Sequence, residues 1–254
     1  IRNTIFITLA PIRSEIPVLN SSISPALIYP FQTHRPELIP TRFLQDVDKL
    51  IKTATKEIIQ LRTDVPDSLL YSHPNVKGLG LFYARWESRL QHINTCRLLA
   101  VEGNSYISAT RNLLRESQQS LQDLGLEEQE NLLNKRTHLL DATKIRKELR
   151  TREYQKWCAL PHKGKGVALF EEYKPANKWI RNHAGLSVNE WREGIKMTAN
   201  VCAVRSIPGR SLNGNLCRQC RRETETLAHV LGSCPHGELL RNTRHHKIRS
   251  LIAN

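Results

Sequence analysis

Aromatic residues make up only 6% of this 254-residue chain, methionine occurs once, and no stretch approaches about 18 consecutive apolar residues. A membrane-spanning protein is therefore not expected. Glycine and proline, at 12 each, are too sparse for a collagen-like or low-complexity chain. Six cysteines in this length do not make a disulfide scaffold. The first twenty residues, IRNTIFITLAPIRSEIPVLN, lack the basic start, apolar core and cleavage site of a secretory signal, so reduced thiols are expected. The chain opens on Ile1 and reads as part of something longer. No Asp-Asp pair and no G-x4-G-K-[ST] loop occur. Nothing beside His162 forms a catalytic dyad, and Lys163 and Lys165 read as basic residues of a Gly-rich loop.

Acidic residues are also scarce, at 24 against 38 Lys+Arg, a formal net charge of +14. The excess is uneven: residues 151–254 hold 18 basic and 8 acidic side chains, and residues 1–150 hold 20 and 16. Such a balance suits a polyanionic partner, most often nucleic acid. A solvated basic surface is the plainer alternative.

The patterning is mainly helical. Residues 1–40 are rich in Pro, Ser and Ile and carry little periodicity. From Thr41 to Arg62, apolar residues Phe43, Val47, Leu50, Ile51, Ala54 and Ile58 recur at helical spacing and predict one apolar face. Asp64, Pro66 and Asp67 end that helix. Gly78 and Gly80 precede a helix over about 81–101. Two more polar helices are expected over 105–124 and 127–150, broken near Gly125. Residues 152–180 read as irregular. Ser187 and Glu190 form a capping-box pattern before a helix bearing Trp191, Ile195, Thr198 and Cys202. Gly209 and Gly214 mark a loop, and a last amphipathic helix shows Leu240, Ile248, Leu251 and Ile252.

Cys96, Cys158 and Cys202 read as small buried hydrophobes. The other three cysteines fall within 18 residues and enclose a histidine: Cys217, Cys220, His229 and Cys234 form C-x2-C-x8-H-x4-C. The short C-x2-C lets two thiolates face one ion, and His229 with Cys234 can close a tetrahedron, the S3N shell that Zn²⁺ favours. Four protein ligands leave no open position, so a structural zinc is expected, its binding supplying folding free energy. His236, His245 and His246 are competing nitrogen donors. Arg205, Arg210, Arg218, Arg221, Arg222, Arg241, Arg244 and Lys247 surround this cluster, with Arg249 beyond. Guanidinium groups on a rigid knuckle can hold phosphates or stack on unpaired bases.

These residues resemble a known family. LAHVLGSCP followed by RNTRHHKIRSLIA is similar to the zinc knuckle of non-LTR retrotransposon polyproteins, above all the R-two class. WCALPHKGKGVALFEEYKPANKWI is similar to that family's W…QGKGV..F…NKW segment. GIKMTANVCAVRSIPGRS is similar to its R-x-N-x-x-x-T-R stretch, with Thr198 and Val204 in place of the usual Arg and Thr. VPDSLLYSHPNVKGLGLFYARWESRL resembles the P…Y…GGLG turn that ends the polymerase thumb, with Lys77 where the first Gly is usual. The resemblance covers about residues 25–254.

It implies a parent RNA-directed DNA polymerase with an endonuclease, copying RNA at a nicked chromosomal target. That polymerase would need paired aspartates and Mg²⁺, and the endonuclease a Pro-Asp…Asp/Glu-x-Lys core. Asp46, Asp48, Asp64, Asp67, Asp123 and Asp141 offer neither pattern. The implied chain is a fragment without either active site: thumb-like over 1–85, a helical basic linker over 86–212, and the knuckle with its following helix over 213–254. The expected fold is mainly α, a helical thumb and linker bundle followed by a small zinc-stabilised knuckle. The expected partners are RNA and DNA, with no membrane and no small-molecule substrate. The expected location is nuclear when acting on a chromosomal target and otherwise cytoplasmic. Two other readings compete: a domesticated zinc-knuckle regulator of DNA or RNA, and a protein-interaction module.

Overall fold

The computed structural model describes residues 24–61, 64–102, 107–127, 129–182, 185–207 and 214–253. The chain divides into two compact units, residues 1–192 and 193–254. Among the described residues there is no strand, only two isolated antiparallel bridges, and the architecture is mostly helical. The helices are α1 (Ser24–Thr33), α2 (Thr41–Ile58), α3 (Asp67–Tyr71), α4 (Ala84–Glu102), α5 (Ile107–Asp123), α6 (Ala142–Cys158), α7 (Trp179–Asn182), α8 (Val188–Thr198) and α9 (Glu238–Ala253). Among the described residues no helix is long and apolar enough to cross a membrane.

In α2 the buried stripe is Leu44, Asp48, Ile51 and Thr55, and Phe43 and Leu50 are exposed. The apolar face read from sequence is thus rotated by about one residue. The reason is Asp48, a carboxylate the helix turns inward. Its Oδ1 accepts from the Ala84 backbone N–H at 2.6 Å and its Oδ2 from Arg85 Nε at 3.0 Å. Asp48 therefore satisfies an orphan donor at the start of α4 from 36 residues away. Burial raises its pKa against those contacts.

Helix α4 starts at Ala84, three residues beyond the expected start, and α5 stops at a glycine cap. Gly125 sits at φ +69°, the Gly125 N–H donates to Gln122 O at 2.8 Å, and the Leu126 N–H donates to Leu121 O at 3.2 Å. The expected helix over 127–150 is half absent. Residues 129–141 instead form a short 3₁₀ turn and a tight loop closed by the Leu133–Leu140 bridge. Asn134 Oδ1 accepts from the backbone N–H groups of Arg136 and Thr137, which holds the loop. Asp141 then caps α6 through Thr143 N and Lys144 N at 2.8 and 3.3 Å. The detour lets Leu132 and Leu140 join Leu90, Ile93, Leu121, Leu126, Ile145 and Leu149 in one apolar core. Each such side chain contributes roughly 1.5–3 kcal/mol on full burial. Glu87 of α4 receives both Nε and Nη2 of Arg146 of α6 at 2.7 Å across that core's edge.

Two of the segments that carried the family resemblance, 65–90 and 157–180, meet within the first unit. The turn after α3 is closed by Gly80 N–H to Ser72 O at 3.0 Å and Leu81 N–H to Leu70 O at 2.9 Å. A Cβ on Gly78 would lie 2.1 Å from Ser72 O, so no side chain fits there. Lys77 occupies the left-handed region at φ +61°, the physical reason a glycine suits that position. Its ammonium lies over the Phe170 ring, 4.1 Å from the centroid. Asn177 Nδ2 donates to Asn75 O at 2.5 Å and Phe170 O at 2.6 Å. Trp157, fully buried, donates from Nε1 to Lys163 O at 3.1 Å. Gly164 packs so closely there that a Cβ would stand 2.3 Å from Trp157 O. Within this unit the Gly-Lys-Gly run is a folding motif around a tryptophan.

The capping box before α8 forms as expected, with Ser187 N–H to Glu190 Oε2 at 2.7 Å and Glu190 N–H to Ser187 Oγ at 3.3 Å. The helix ends at Thr198, so Cys202 lies beyond it. Asn200 stops it at φ +53°, with the Val201 N–H donating to Lys196 O at 2.9 Å. Asparagine tolerates that left-handed cap better than most residues.

Candidate metal centre

The second unit builds its site from a small hairpin. The Leu216–Thr224 bridge pairs its two arms, and the Cys217 N–H donates to Glu223 O at 2.8 Å. Between the arms the chain turns at Cys-x2-Cys, with the Arg221 N–H donating to Cys217 O at 2.9 Å and Arg221 itself at φ +56°. Thr226 Oγ1 accepts from the His229 N–H at 3.0 Å and starts the next turn. Residues His229–Ser233 form a five-residue π-helical turn, closed by the Cys234 N–H donating to His229 O at 2.8 Å. That wide turn lets residues five apart face the same point.

The donor atoms of Cys217, Cys220, His229 and Cys234 all lie within 4.8 Å of one another, and this Cys3His cluster can hold a metal ion. His229 Nε2 lies 3.2 Å from Cys220 Sγ, and the sulfurs of Cys217 and Cys234 are 3.9 Å apart. A tetrahedral zinc with Zn–S near 2.3 Å and Zn–N near 2.0 Å has edges of about 3.8 Å between sulfurs and about 3.5 Å between sulfur and nitrogen. The donor set fits the ion in number, softness and spacing. Cys217, His229 and Cys234 are buried and Cys220 is half-buried. Backbone N–H groups, that of Arg222 foremost, hold the Cys220 thiol down to about 6. The Cys220 N–H does the same for Cys217, whereas burial pushes Cys234 up.

Two residues that the spacing pattern did not reveal support the ligands. Glu223 Oε2 lies 2.9 Å from His229 Nδ1, with Ser233 Oγ at 3.2 Å. This arrangement directs the Nδ1 proton outward and leaves Nε2 for the sulfurs' side, the carboxylate–histidine pattern of metal sites. Burial lowers the His229 pKa, but hydrogen bonds with Cys217, Cys220 and Glu223 outweigh it and raise the value. The second residue is Glu225, buried among the knuckle's basic groups. The alternating acids in R-R-E-T-E, between the second cysteine and the histidine, were the available signal.

The basic residues separate into two groups. Arg218 directs its Nε and Nη2 at Glu225 at 3.0 and 2.7 Å, and Nη2 also donates to Ala203 O at 2.6 Å. The Arg205 Nη1 donates to Leu216 O at 3.3 Å and its backbone N–H to Glu225 at 3.2 Å. Arg241 Nη1 donates to Cys234 O at 2.7 Å. These three hold the knuckle's own frame. Arg221, Arg222, Arg244 and Lys247 are exposed, and their side chains make no hydrogen bond or ion pair with a described residue. Arg210 lies outside the described residues. His236, His245 and His246 are exposed and stand apart from the four-ligand cluster, His245 and His246 meeting each other at 5.7 Å on α9.

No known protein-family profile matches the chain. Curated relatives do. It is 26% identical over 216 residues to the retrovirus-related Pol polyprotein of the type-2 retrotransposable element R2DM of Drosophila melanogaster, covering 82% of this chain and 19% of that protein. It is 27% identical over 210 residues to the Pol polyprotein of a type-1 R2 element of Nasonia vitripennis, covering 81% and 18%. The R2 Pol polyprotein of Popillia japonica is 24% identical over 200 residues, covering 78% and 38%. The chain thus spans about a fifth of the length of two of these relatives. It is related to the Pol polyproteins of non-LTR, R2-like retrotransposable elements and matches a part of them.

Proposed function

We propose, from the premise of that R2-like kinship, that this chain is a nucleic-acid-holding segment of a retrotransposon RNA-directed DNA polymerase. In this reading residues 1–85 belong to the end of the thumb, 86–212 to a basic linker and 213–254 to a zinc knuckle with its helix. It supplies grip on template or target during target-primed reverse transcription. It carries neither polymerase aspartates nor an endonuclease core, and Mg²⁺ chemistry belongs to the parent enzyme. Its place of action is the nucleus, at a chromosomal target, and otherwise the cytoplasm.

The observation that supports this reading best is the division of labour among the basic residues. Arg205, Arg218 and Arg241 fasten the knuckle internally, whereas Arg221, Arg222, Arg244 and Lys247 keep their donors for an outside partner. Zinc, held by Cys217, Cys220, His229 and Cys234, would fix the turn on which Arg221 and Arg222 stand. Arg221 holds a left-handed conformation that costs an L-residue roughly 1–2 kcal/mol. A cationic side chain standing at a position that glycine would fill more easily favours a contact role.

Binding of the full chain to duplex DNA and to single-stranded RNA, measured across a salt series, tests the reading. Each neutralised phosphate adds about −0.9 to the log–log slope on duplex and about −0.7 on single strands. Replacing both residues, Arg221→Ala with Arg222→Ala, is expected to flatten the duplex slope by about 1.8, with helicity unchanged. Affinity that does not move between low and moderate salt would sink the proposal. A second reading, a protein-interaction module, is favoured by one feature: Leu239, Leu240, Leu251 and Ile252 of α9 are at least 72% exposed. A partner retained at high salt after nuclease treatment would support that one.

A further inference from the structure

The first unit contains a second convergence of ligand atoms, and we infer that it is a divalent-metal site built by His92, Cys96 and Glu116. The proposal does not depend on the knuckle. His92 and Cys96 are four residues apart on α4, so their side chains share one face of the helix. Glu116 comes from α5, the helix packed alongside. His92 Nε2 lies 3.5 Å from Cys96 Sγ and 3.6 Å from Glu116 Oε2, and the three donor atoms are all within 4.8 Å of one another. His92 and Cys96 are buried and Glu116 is half-buried.

Three chemistries could bring such residues together. A nucleophilic Cys–His–Glu relay needs the two ring nitrogens to face different partners, one the thiol and the other the carboxylate. Here a single nitrogen, Nε2, faces both. A plain ion pair of imidazolium with carboxylate leaves the thiol, 3.5 Å from the same nitrogen, unexplained. One ion shared by all three accounts for the whole arrangement. The spacings match the tetrahedral edges of a bound Zn²⁺, about 3.5 Å for sulfur to nitrogen and about 3.3 Å for nitrogen to oxygen. Sulfur, imidazole and carboxylate together select a borderline cation such as Zn²⁺ over Mg²⁺ or Ca²⁺. Thiolate and carboxylate would neutralise the ion's two charges. Arg35 Nη2, at 3.1 Å from Glu116 Oε1, holds the oxygen that does not face His92 and so orients the one that does. Three protein ligands leave a fourth position for solvent, unlike the closed set of the knuckle.

Zinc stoichiometry of the purified full chain after removal of loosely held metal is the decisive measurement, with far-UV circular dichroism as the fold control. Two ions per chain are expected, falling to one in Cys96→Ala and to one in Cys220→Ala. A chain with one ion, kept in Cys96→Ala and lost in Cys220→Ala, overturns the helical site and leaves the knuckle standing. A chain with one ion that disappears in Cys96→Ala supports the helical site and overturns the knuckle. Should Cys96→Ala lose helicity, Glu116→Gln, which removes a ligand charge from a half-buried position, carries the same comparison. Unchanged stoichiometry in a folded Glu116→Gln chain together with an unchanged zinc affinity also overturns the site.

Discussion

At the scale of single residues, His73 shows how a half-buried polar group couples this fold to pH. Its ring accepts from the Asn75 N–H at 3.0 Å and caps the 3₁₀ turn that leads into Gly78. Burial, with Arg150, Arg181 and Lys147 nearby, pushes its pKa down to about 4 from 6.5. Between those values the unfolded chain takes up a proton that the folded chain refuses. Stability is therefore complete above pH 6.5 and falls as pH drops through the window. His73→Asn keeps an acceptor at the cap and cannot titrate. Its melting temperature is expected to fall less between pH 7 and pH 4.5 than that of the parent chain. Parallel curves for the two proteins would show that His73 does not carry the effect.

At the scale of elements, an ion pair on a buried carboxylate helps hold the knuckle beside its ligands. Glu225 is 1% exposed and receives Arg218 through three nitrogens: the backbone N–H, Nε and Nη2. Removing the guanidinium leaves a carboxylate in a buried place, which costs about 2–3 kcal/mol for a pair open to water on one side. Arg218→Ala is thus expected to lower the denaturation midpoint of the knuckle, measured on the zinc-loaded chain. Arg222→Ala, by contrast, should leave it within about 0.5 kcal/mol. Equal midpoints for both variants would return Arg218 to the outward-facing group. The sequence placed all these arginines in one class because charge and spacing are the same for both kinds. Which guanidinium finds an internal acceptor depends on the hairpin that brings residue 225 back to residue 218.

At the scale of the whole molecule, the division at residue 192 predicts separable responses to metal removal. The first unit has a continuous apolar core from α4, α5 and α6. The second has few fully buried large side chains around four ligands, and a small core of that kind relies on an ion. Chelation of structural zinc, or Cys217→Ser, is expected to abolish amide protection over about 214–236. Protection at Leu90, Ile93 and Ile145 should persist under hydrogen exchange. Protection lost together in both regions would contradict two independently stable units. Much of this organisation was legible in the sequence. The C-x2-C-x8-H-x4-C spacing, the Ser187–Glu190 cap and the existence of helices near 41–62, 81–101 and 105–124, each with at least one end shifted by two to four residues in the structure, could be read from it.

What the sequence decided alone rests on interactions a few residues long. Ligand spacing, caps and helical periodicity act over one or two turns, and the chain writes them locally. What only the tertiary structure decided involves partners tens of residues away. The face of α2 is set by Asp48 reaching the start of α4, not by Phe43 and Leu50, whose burial the pattern invited. Residues 129–141 leave the helix their composition suggested because Leu132 and Leu140 gain more by entering a core built from α4, α5 and α6. His92, Cys96 and Glu116 come together only because two helices pack side by side. Local patterns state what a segment can form. The surface it meets determines which of its faces is buried and which of its side chains find one another.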